Sequence, residues 1–438
     1  MNSYIEPKIL KGFRDFLPAA EIARKILLEK IEASFRSYGF VPIDTPALEY
    51  TEILLGKGGG ETEKQIYRFT DNGGRDVALR FDLTVPFARF LAEHRAALTL
   101  PFKRYHIAKV WRGENTQRGR YREFTQCDFD TVGSDSASCD FEILHIMRNT
   151  LLAISGGEIA IHLNHRGLFN RFLGRLGVAD KSVEVLRTVD KLAKIGKEET
   201  LALLSEITGN GKAAEILDFI GVKGGFEETL TCLSSAAGNG PETERLKLLR
   251  RFMIDSGIAD SFVLDPSITR GLDYYTGVVF ESFLAELPEI GSVCSGGRYD
   301  NLVGLYSSDK RNQENLGGVG GSIGIDRLIA GLEELGRLET KLSYANTAIA
   351  SITLEGGGAY QALAEKLRKA GFPCEVLPEG QKLPRQFQLA EKKGYRWLII
   401  PDADNPHNGS LTLRKLQNRE NREGLTVEEI LEIIREQS

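Results

Sequence analysis

From about Asn164 to Ala259 the chain is helix-forming, charged sequence punctuated by Gly and Asn (Gly209-Asn-Gly211, Gly224-Gly225, Gly238-Asn-Gly240), with no strand pattern. On both sides the pattern is different. Upstream, strand-like runs cluster with short connections: Val77-Ala-Leu-Arg-Phe81, Tyr105 to Trp111 and the alternating Phe124-Thr-Gln-Cys-Asp-Phe-Asp130. Downstream, strand character resumes at Phe262-Val-Leu264 and Val278-Val-Phe280. It closes with Gly317-Gly-Val-Gly-Gly-Ser-Ile-Gly324, which runs into a helix beginning near Asp326. Strands that cluster in this way, instead of alternating strictly with helices, predict an antiparallel sheet. The chain therefore reads as an α+β fold in which residues 1–164 and 260–336 are two halves of one domain. Residues 165–259 are a helical insertion between them.

Two local features sharpen the first half. Pro18 opens a helical stretch whose apolar positions Ile22, Ile26, Leu27, Ile31 and Phe35 recur at helical spacing, and Gly39 ends it. Phe40-Val-Pro-Ile-Asp-Thr-Pro46 then reads as an extended segment. Its two prolines confine it to a sheet edge or an interface.

From about residue 345 to 438 the pattern is a real alternation. A strand (Thr347 to Leu354), a helix (Ala359 to Ala370), a strand (Pro373 to Leu377) and a helix (Leu383 to Lys393) come first. A strand (Arg396 to Pro401), a polar turn, a strand (Ser410 to Leu416) and a last helix (Val427 to Glu436) follow. This is a small α/β domain with a mixed sheet.

Composition limits the function classes. With 438 residues, 42% hydrophobic and 27% charged, the chain is an ordinary globular protein of two or three domains. Its longest apolar runs, such as Trp397 to Ile400, are far too short to span a bilayer. The first eighteen residues carry no apolar core and no small-residue cleavage site. Five scattered cysteines without a CxxC pair argue against a disulfide framework or a structural zinc site, and fit a reducing cytoplasm. A net charge of −5 argues against indiscriminate coating of nucleic acid but leaves room for a local basic face.

Gly56-Lys-Gly-Gly-Gly-Glu-Thr-Glu-Lys64 is glycine-rich but lacks the ending of a Walker A loop, so bound phosphates would be held by side chains. Arginine suits that task, because its planar fork grips phosphate oxygens and keeps its charge. Arg112, Arg270 and Arg327 stand in distinctive settings (VWRGE, TRGLDYYTG, GGSIGIDRL). Each alone fits a solvated surface arginine better, since that is what most arginines are. Together with Glu114 and Phe124 they form an ATP-handling set. Arginine takes the α-phosphate, the carboxylate accepts from the adenine amino group, and the ring stacks on the base.

This combination resembles motifs 2 and 3 of the class II aminoacyl-tRNA synthetases, and Gly39 to Pro46 resembles their motif 1. Within the class, KGFRDFLP (11–18), RFDLTVPFARF (80–90), GRYREFTQCDFD (119–130), RGLDYYTG (270–277) and GGRYDNL (296–302) are similar, in order, to blocks of the histidyl-tRNA synthetase family. The likeness covers nearly the whole chain.

The resemblance implies an enzyme that activates L-histidine with ATP, accompanied by Mg²⁺, and transfers it to tRNA(His). It also implies a cytoplasmic homodimer joined through motif 1. Asp82, Leu83 and Thr84 would line the amino-acid pocket, with Asp82 facing the ammonium. Many relatives carry Glu there, so Asp82 has one methylene less reach. Gln126 and Asp130 would complete the pocket, and Asp130 with Tyr274 and Tyr275 would read the imidazole, whose two nitrogens need opposed partners. Arg112, Glu114, Phe124, Arg270 and Arg327 would bind ATP. Arg112 and Arg270 would be catalytic, stabilising charge at the α-phosphate, with no metal ligated by the protein.

Gln117 and Arg118, with Arg120 and Arg122, would reach the acceptor end of the tRNA. The basic residues of the insertion (Arg166, Arg171, Arg175, Lys191, Lys194, Arg250, Arg251) fit either an acceptor-stem contact or a solvated helical face. The C-terminal domain resembles an anticodon-binding module, notably over Pro384 to Ile400, while Asp402 to Gly409 departs from the expected acidic turn. The rival reading is a catalytically inactive paralogue, such as the regulatory subunit of ATP phosphoribosyltransferase. That subunit keeps an RGLxYYTG-like segment but usually lacks the C-terminal domain and has an eroded motif 2.

Overall fold

Pro18 starts the first helix, α1 (Pro18–Ser37), which Gly39 terminates at φ 79°. The amide of Phe40 closes the end by donating to the carbonyl of Phe35. Leu27, Ile31 and Phe35, four residues apart, fall on one face and are buried. The computed structural model describes residues 4–56, 62–222, 224–269, 274–300, 302–306, 316–379, 381–405 and 409–437. The chain forms two compact units: Met1–Arg14 with Leu27–Leu338, and Asp15–Ile26 with Glu339–Ser438.

In the first unit, β1 (Val41–Pro42) follows α1. Then β2 (Leu48–Tyr50), β3 (Arg68–Thr70) and β4 (Asp76–Leu79) form a small antiparallel sheet, and α2 (Thr51–Leu55) lies between β2 and β3 in the chain. Next come α3 (Thr84–His94), the long hairpin of β5 (Phe102–Trp111) and β6 (Glu123–Val132), α4 (Ala137–Ser155) and β7 (Ile159–His165). Beyond the insertion, β8 (Phe262–Leu264), β9 (Val278–Leu284), β10 (Cys294–Tyr299) and β11 (Gly318–Gly324) complete an eight-stranded sheet, and α12 (Ile325–Glu334) follows β11.

The strand order of that sheet is β1-β5-β6-β11-β10-β9-β7-β8. It is antiparallel except at its edges, where β1 runs parallel to β5 and β8 parallel to β7. The proline-bearing β1 is an edge strand, as a residue without an amide hydrogen requires. The expected antiparallel core is thus observed. At its centre glycines let the strands meet closely. A Cβ on Gly296 would come within 2.1 Å of the carbonyl oxygen of Gly320.

Between His165 and Ala259 the described residues are helices and turns: α5 (Arg166–Arg175), α6 (Ser182–Val189), α7 (Leu192–Ile195), α8 (Lys197–Thr208), α9 (Asn210–Ile220), α10 (Phe226–Ala237) and α11 (Pro241–Asp255). Their apolar faces join the core of the sheet, and Phe172 stacks on Phe219 at 4.1 Å. Positive-φ glycines separate the helices at Gly196, Gly209 and Gly238.

The second unit builds a five-stranded mixed sheet, ordered β13-β12-β14-β15-β16, from β12 (Thr347–Ile349), β13 (Cys374–Val376), β14 (Trp397–Pro401), β15 (Leu411–Lys415) and β16 (Glu420–Leu425). Helices α13 (Gly357–Lys369), α14 (Leu383–Lys392) and α15 (Val427–Glu436) accompany it. Strand β12 is shorter than its apolar pattern predicts, for a specific reason. The buried amide of Gln386 accepts from the Ser351 N–H at 2.9 Å and donates to the Ser351 carbonyl at 2.7 Å. Strand β16 is absent from the sequence reading. Its exposed, charged residues show no alternation, as suits an edge strand protected from pairing. No helix among the described residues is long and apolar enough to cross a membrane.

Candidate active site

The β5–β6 hairpin sets the site. Because side chains alternate along a strand, Phe124, Gln126, Asp128 and Asp130 of β6 lie on one face. Across the ladder, Asp130 faces Arg104, and Asp128 faces His106 on β5 and Ser322 on β11. The glycines of β11 leave room for these carboxylates. A Cβ on Gly320 would stand 2.0 Å from Asp130 Oδ1.

Asp130 is held from two sides. Tyr299, on β10, donates to its Oδ1 at 2.6 Å, and Arg104 Nη2 stands 2.8 Å from its Oδ2. Arg104 is fully buried, stacks over the Phe87 ring at 4.1 Å, and reaches the Leu83 carbonyl at 3.4 Å. The same guanidinium nitrogen lies 4.0 Å from Asp128 Oδ2. At an effective dielectric constant near 20 the shorter pair is favoured by roughly 2 kcal/mol. Asp130 is therefore the closer and more strongly held partner of Arg104. Burial pushes the Asp130 carboxyl upward, opposed by Arg104 and Tyr299. Asp128, further from the cation, is pushed by burial up to about 7.

Asp82 enters from the segment between β4 and α3. Its Oδ1 accepts from the Val85 amide at 3.1 Å, whereas Oδ2 is buried with no hydrogen-bond partner. Burial raises its carboxyl to about 6, with Arg112 and Arg104 pulling the other way. Leu83 beside it is fully buried. The Thr84 hydroxyl and the Tyr275 ring lie against Tyr274, and the two tyrosine rings meet edge-on at 4.9 Å. Burial raises both phenols. Gln126 adds a second buried acceptor without a partner, its Oε1. Asp82, Thr84, Asp130, Tyr274 and Tyr275 thus interact with one another, with Leu83 adjoining Asp82 in the chain and Gln126 on the same face of β6 as Asp130.

Next to it stands a second cluster. Arg112 donates through Nε to the Phe81 carbonyl at 2.8 Å, lies 3.8 Å from Glu114, and sits over the Phe124 ring at 5.2 Å. Residues 112–122 fold back as a tight turn in which Gln117 and Arg120 exchange backbone hydrogen bonds. Gly119, at φ 69°, packs against the backbone of Arg327, where a Cβ would meet Cα at 3.1 Å. Arg327 Nη1 donates to the Ser292 carbonyl at 2.6 Å. Arg118 pairs with Glu334 of α12 at 2.6 Å. The N-terminal segment clamps the turn: the Arg122 amide donates to Gly12, Arg14 lies over Tyr121, and Arg14 pairs with Asp326.

Three groups are missing from the sequence reading of the pocket: Asp128, Arg104 and Tyr299. The alternation from Phe124 to Asp130 already puts Asp128 on the pocket face. Tyr299 lies in the GGRYDNL block without a local sign of its partner. Arg270 lies outside the described residues. In the insertion, Arg171 forks onto Glu242 at 2.7 and 3.1 Å, Arg250 pairs with Glu227 at 2.7 Å, and Arg251 lies 3.7 Å from Asp255. Much of the basic charge there is balanced by neighbouring carboxylates. The side chain of Lys194 is outside the described set, as are residues 406–408 in the departing turn.

Comparison with known proteins agrees with this geometry. A family model for histidyl-tRNA synthetase matches residues 12–328, and one for an anticodon binding domain matches residues 349–437. A histidine–tRNA ligase of Treponema denticola is 52% identical over 434 residues, covering 96% of each chain. One of Rhodopirellula baltica is 47% identical over 426 residues, covering 96% of this chain and 95% of the other. The crystal structure of histidyl-tRNA synthetase from a Nostoc species is similar with a TM-score of 0.87 and 32% identity, covering 99% of this chain and 100% of that one. With its β5–β6 hairpin, its glycine-lined strands and its C-terminal α/β unit all within these matches, the chain belongs to the histidyl-tRNA synthetase family.

Proposed function

We propose that this chain is a histidine–tRNA ligase. It joins L-histidine to ATP as histidyl-adenylate, with release of pyrophosphate, and transfers the histidyl group to the 3′ end of tRNA(His). The observation that carries the reading is the pair of buried, unpartnered acceptors, Asp82 Oδ2 and Gln126 Oε1, beside the Arg112–Glu114–Phe124 cluster. Such acceptors are costly unless a ligand with N–H donors satisfies them. An amino acid brings an ammonium group, and on this reading Arg112 meets the phosphate that its carboxylate attacks.

In this scheme Asp82 takes the ammonium, and Leu83, Thr84 and Gln126 line the pocket. Asp130, Tyr274 and Tyr275 read the imidazole. Phe124 stacks on adenine, Glu114 accepts from its amino group, and Arg327 lies on the far face. A histidine carboxylate oxygen attacks the α-phosphorus while pyrophosphate departs. Arg112, joined by Arg270, stabilises the charge that develops on the α-phosphate oxygens. Mg²⁺ arrives with the ATP phosphates as part of the substrate. Gln117 and Arg118 reach the acceptor end of the tRNA, and the module over residues 345–438 binds its anticodon. The chain works as a cytoplasmic homodimer. Exposed Val41, Leu48, Tyr50 and Phe69, on β1, β2 and β3, support an interface near the motif 1 segment.

The test is to incubate the protein with ATP, labelled histidine and total tRNA, and to measure acid-precipitable label. Label on tRNA is the expected result. Adenylate without transfer points to a non-charging paralogue, and no adenylate at all overturns the reading. Gel filtration at twice 48.5 kDa is expected for the dimer.

A further inference from the structure

Three buried carboxylates, Asp82, Asp128 and Asp130, lie close enough to feel one another's charge, and among the described residues Arg104 is the cation within ion-pair distance of any of them. Two carboxylates have an assigned counter-charge. Asp130 pairs with Arg104 at 2.8 Å, and on the proposed reading the unpartnered Asp82 Oδ2 takes the substrate ammonium. Asp128 is the third. It is 2% exposed, its Oδ2 is 4.0 Å from Arg104, and its Oδ1 has no hydrogen-bond partner.

Among the described residues, the groups packed around Asp128 do not supply the missing charge. On β5, His106 is kept neutral by burial, its ring pushed down to about 4, and it reaches Asp44 at 3.0 Å. Arg80 lies further off, with its guanidinium donating to the carbonyls of Lys109 and Thr45. On β6 the neighbour is Asp130, itself a carboxylate. β11 contributes the Ser322 hydroxyl, and β10 contributes the Cys294 thiol, which burial raises. Asp82, Tyr274 and Tyr275 complete the surroundings. An ionised Asp128 in a filled, water-excluding pocket would be an uncompensated buried charge, which is strongly unfavourable. Of the side chains an amino acid can carry, imidazole is the one whose basicity matches a carboxyl that titrates near neutrality.

We propose that Asp128 is a further specificity-determining residue of the histidine pocket: the bound ligand shares one proton between its imidazole ring and the Asp128 carboxylate. The inference rests on reading the site as a histidine pocket. The proton balance follows directly. Above neutral pH the free ring and Asp128 are both deprotonated, so binding takes one proton from the buffer and holds it on the ring–carboxylate pair. Between about pH 6.5 and 7 one of the two partners already carries it, and little uptake occurs.

Isothermal titration of histidine into the full-length protein, in two buffers of different ionisation enthalpy, measures that uptake. Near one proton per histidine is expected at pH 8 and less than half of one at pH 6.5, with Kd rising about fourfold from pH 7 to pH 8. In Asp128→Asn the uptake at pH 8 falls to near zero and Kd becomes flat over that range. Wild-type binding at pH 8 without proton uptake overturns the proposal and leaves the ligase reading intact. Undiminished uptake by Asp128→Asn overturns it as well. No histidine binding at any pH sinks the proposed function, and the inference with it.

Discussion

The Tyr299 hydroxyl donates to Asp130 Oδ1 at 2.6 Å, joining residues 169 positions apart in the sequence. The bond links β10 to β6 across the glycine strand β11, and fixes the carboxylate that also meets Arg104. A removable link between two buried groups gives a direct test of how the pocket is organised.

Tyr299→Phe deletes one hydrogen bond to a charged acceptor, an interaction of about 1.5–3 kcal/mol. The expected result is a KM for histidine raised roughly ten- to a hundredfold in pyrophosphate exchange, with KM for ATP little changed. An equal effect on both substrates would show that the link supports the whole domain and not the amino-acid pocket.

Gly320→Ala places a Cβ 2.0 Å from the present position of Asp130 Oδ1, so the carboxylate must move. Weakened histidine binding of at least about tenfold is expected, read by calorimetry. Retained affinity would mean that the position of Asp130 is not critical.

Arg270→Ala should largely abolish histidine-dependent pyrophosphate exchange while circular dichroism and melting temperature stay close to wild type. Arg112→Ala should lower kcat by roughly 10² to 10³, the usual cost of removing one preorganised stabiliser of transition-state charge. Near wild-type exchange in either variant contradicts the role given to that arginine.

Asp82 makes a pH prediction. Its carboxyl is raised by burial to about 6, so folding disfavours its ionised form relative to the unfolded chain. Its stabilising contribution is complete below the unfolded value near 4 and is lost as pH rises through about 6. Relative to wild type, Asp82→Asn should therefore gain stability between pH 4 and pH 7, by up to roughly 3 kcal/mol. Denaturant unfolding at several pH values measures the difference. A pH-independent difference would show that Asp82 is not desolvated as described.

The GGRYDNL block also holds a structural element. Arg298 donates to Asp140 Oδ1 through Nε at 2.8 Å and Nη2 at 2.6 Å, while Arg245 donates to the other oxygen at 2.9 Å. Arg298→Ala leaves Asp140 buried with one partner fewer, and should cost about 3–5 kcal/mol in urea unfolding.

The amino-acid pattern by itself determined the local elements. Strand alternation in β5 and β6, the helix from Pro18 to Gly39, the strand-free insertion and the C-terminal alternation all follow from periods of 2 and 3.6, which chain geometry imposes. It also placed Arg112, Glu114 and Phe124 close together, because a hairpin joins neighbours in sequence. Strand β16 was invisible, since an exposed charged edge has no apolar face to display. Tertiary structure alone decided the partners. Arg104, Asp128, Asp130 and Tyr299 come from three strands. Which carboxylate keeps the cation depends on 2.8 Å against 4.0 Å in a desolvated pocket. Burial and distance set those energies, and neither is written in the local sequence.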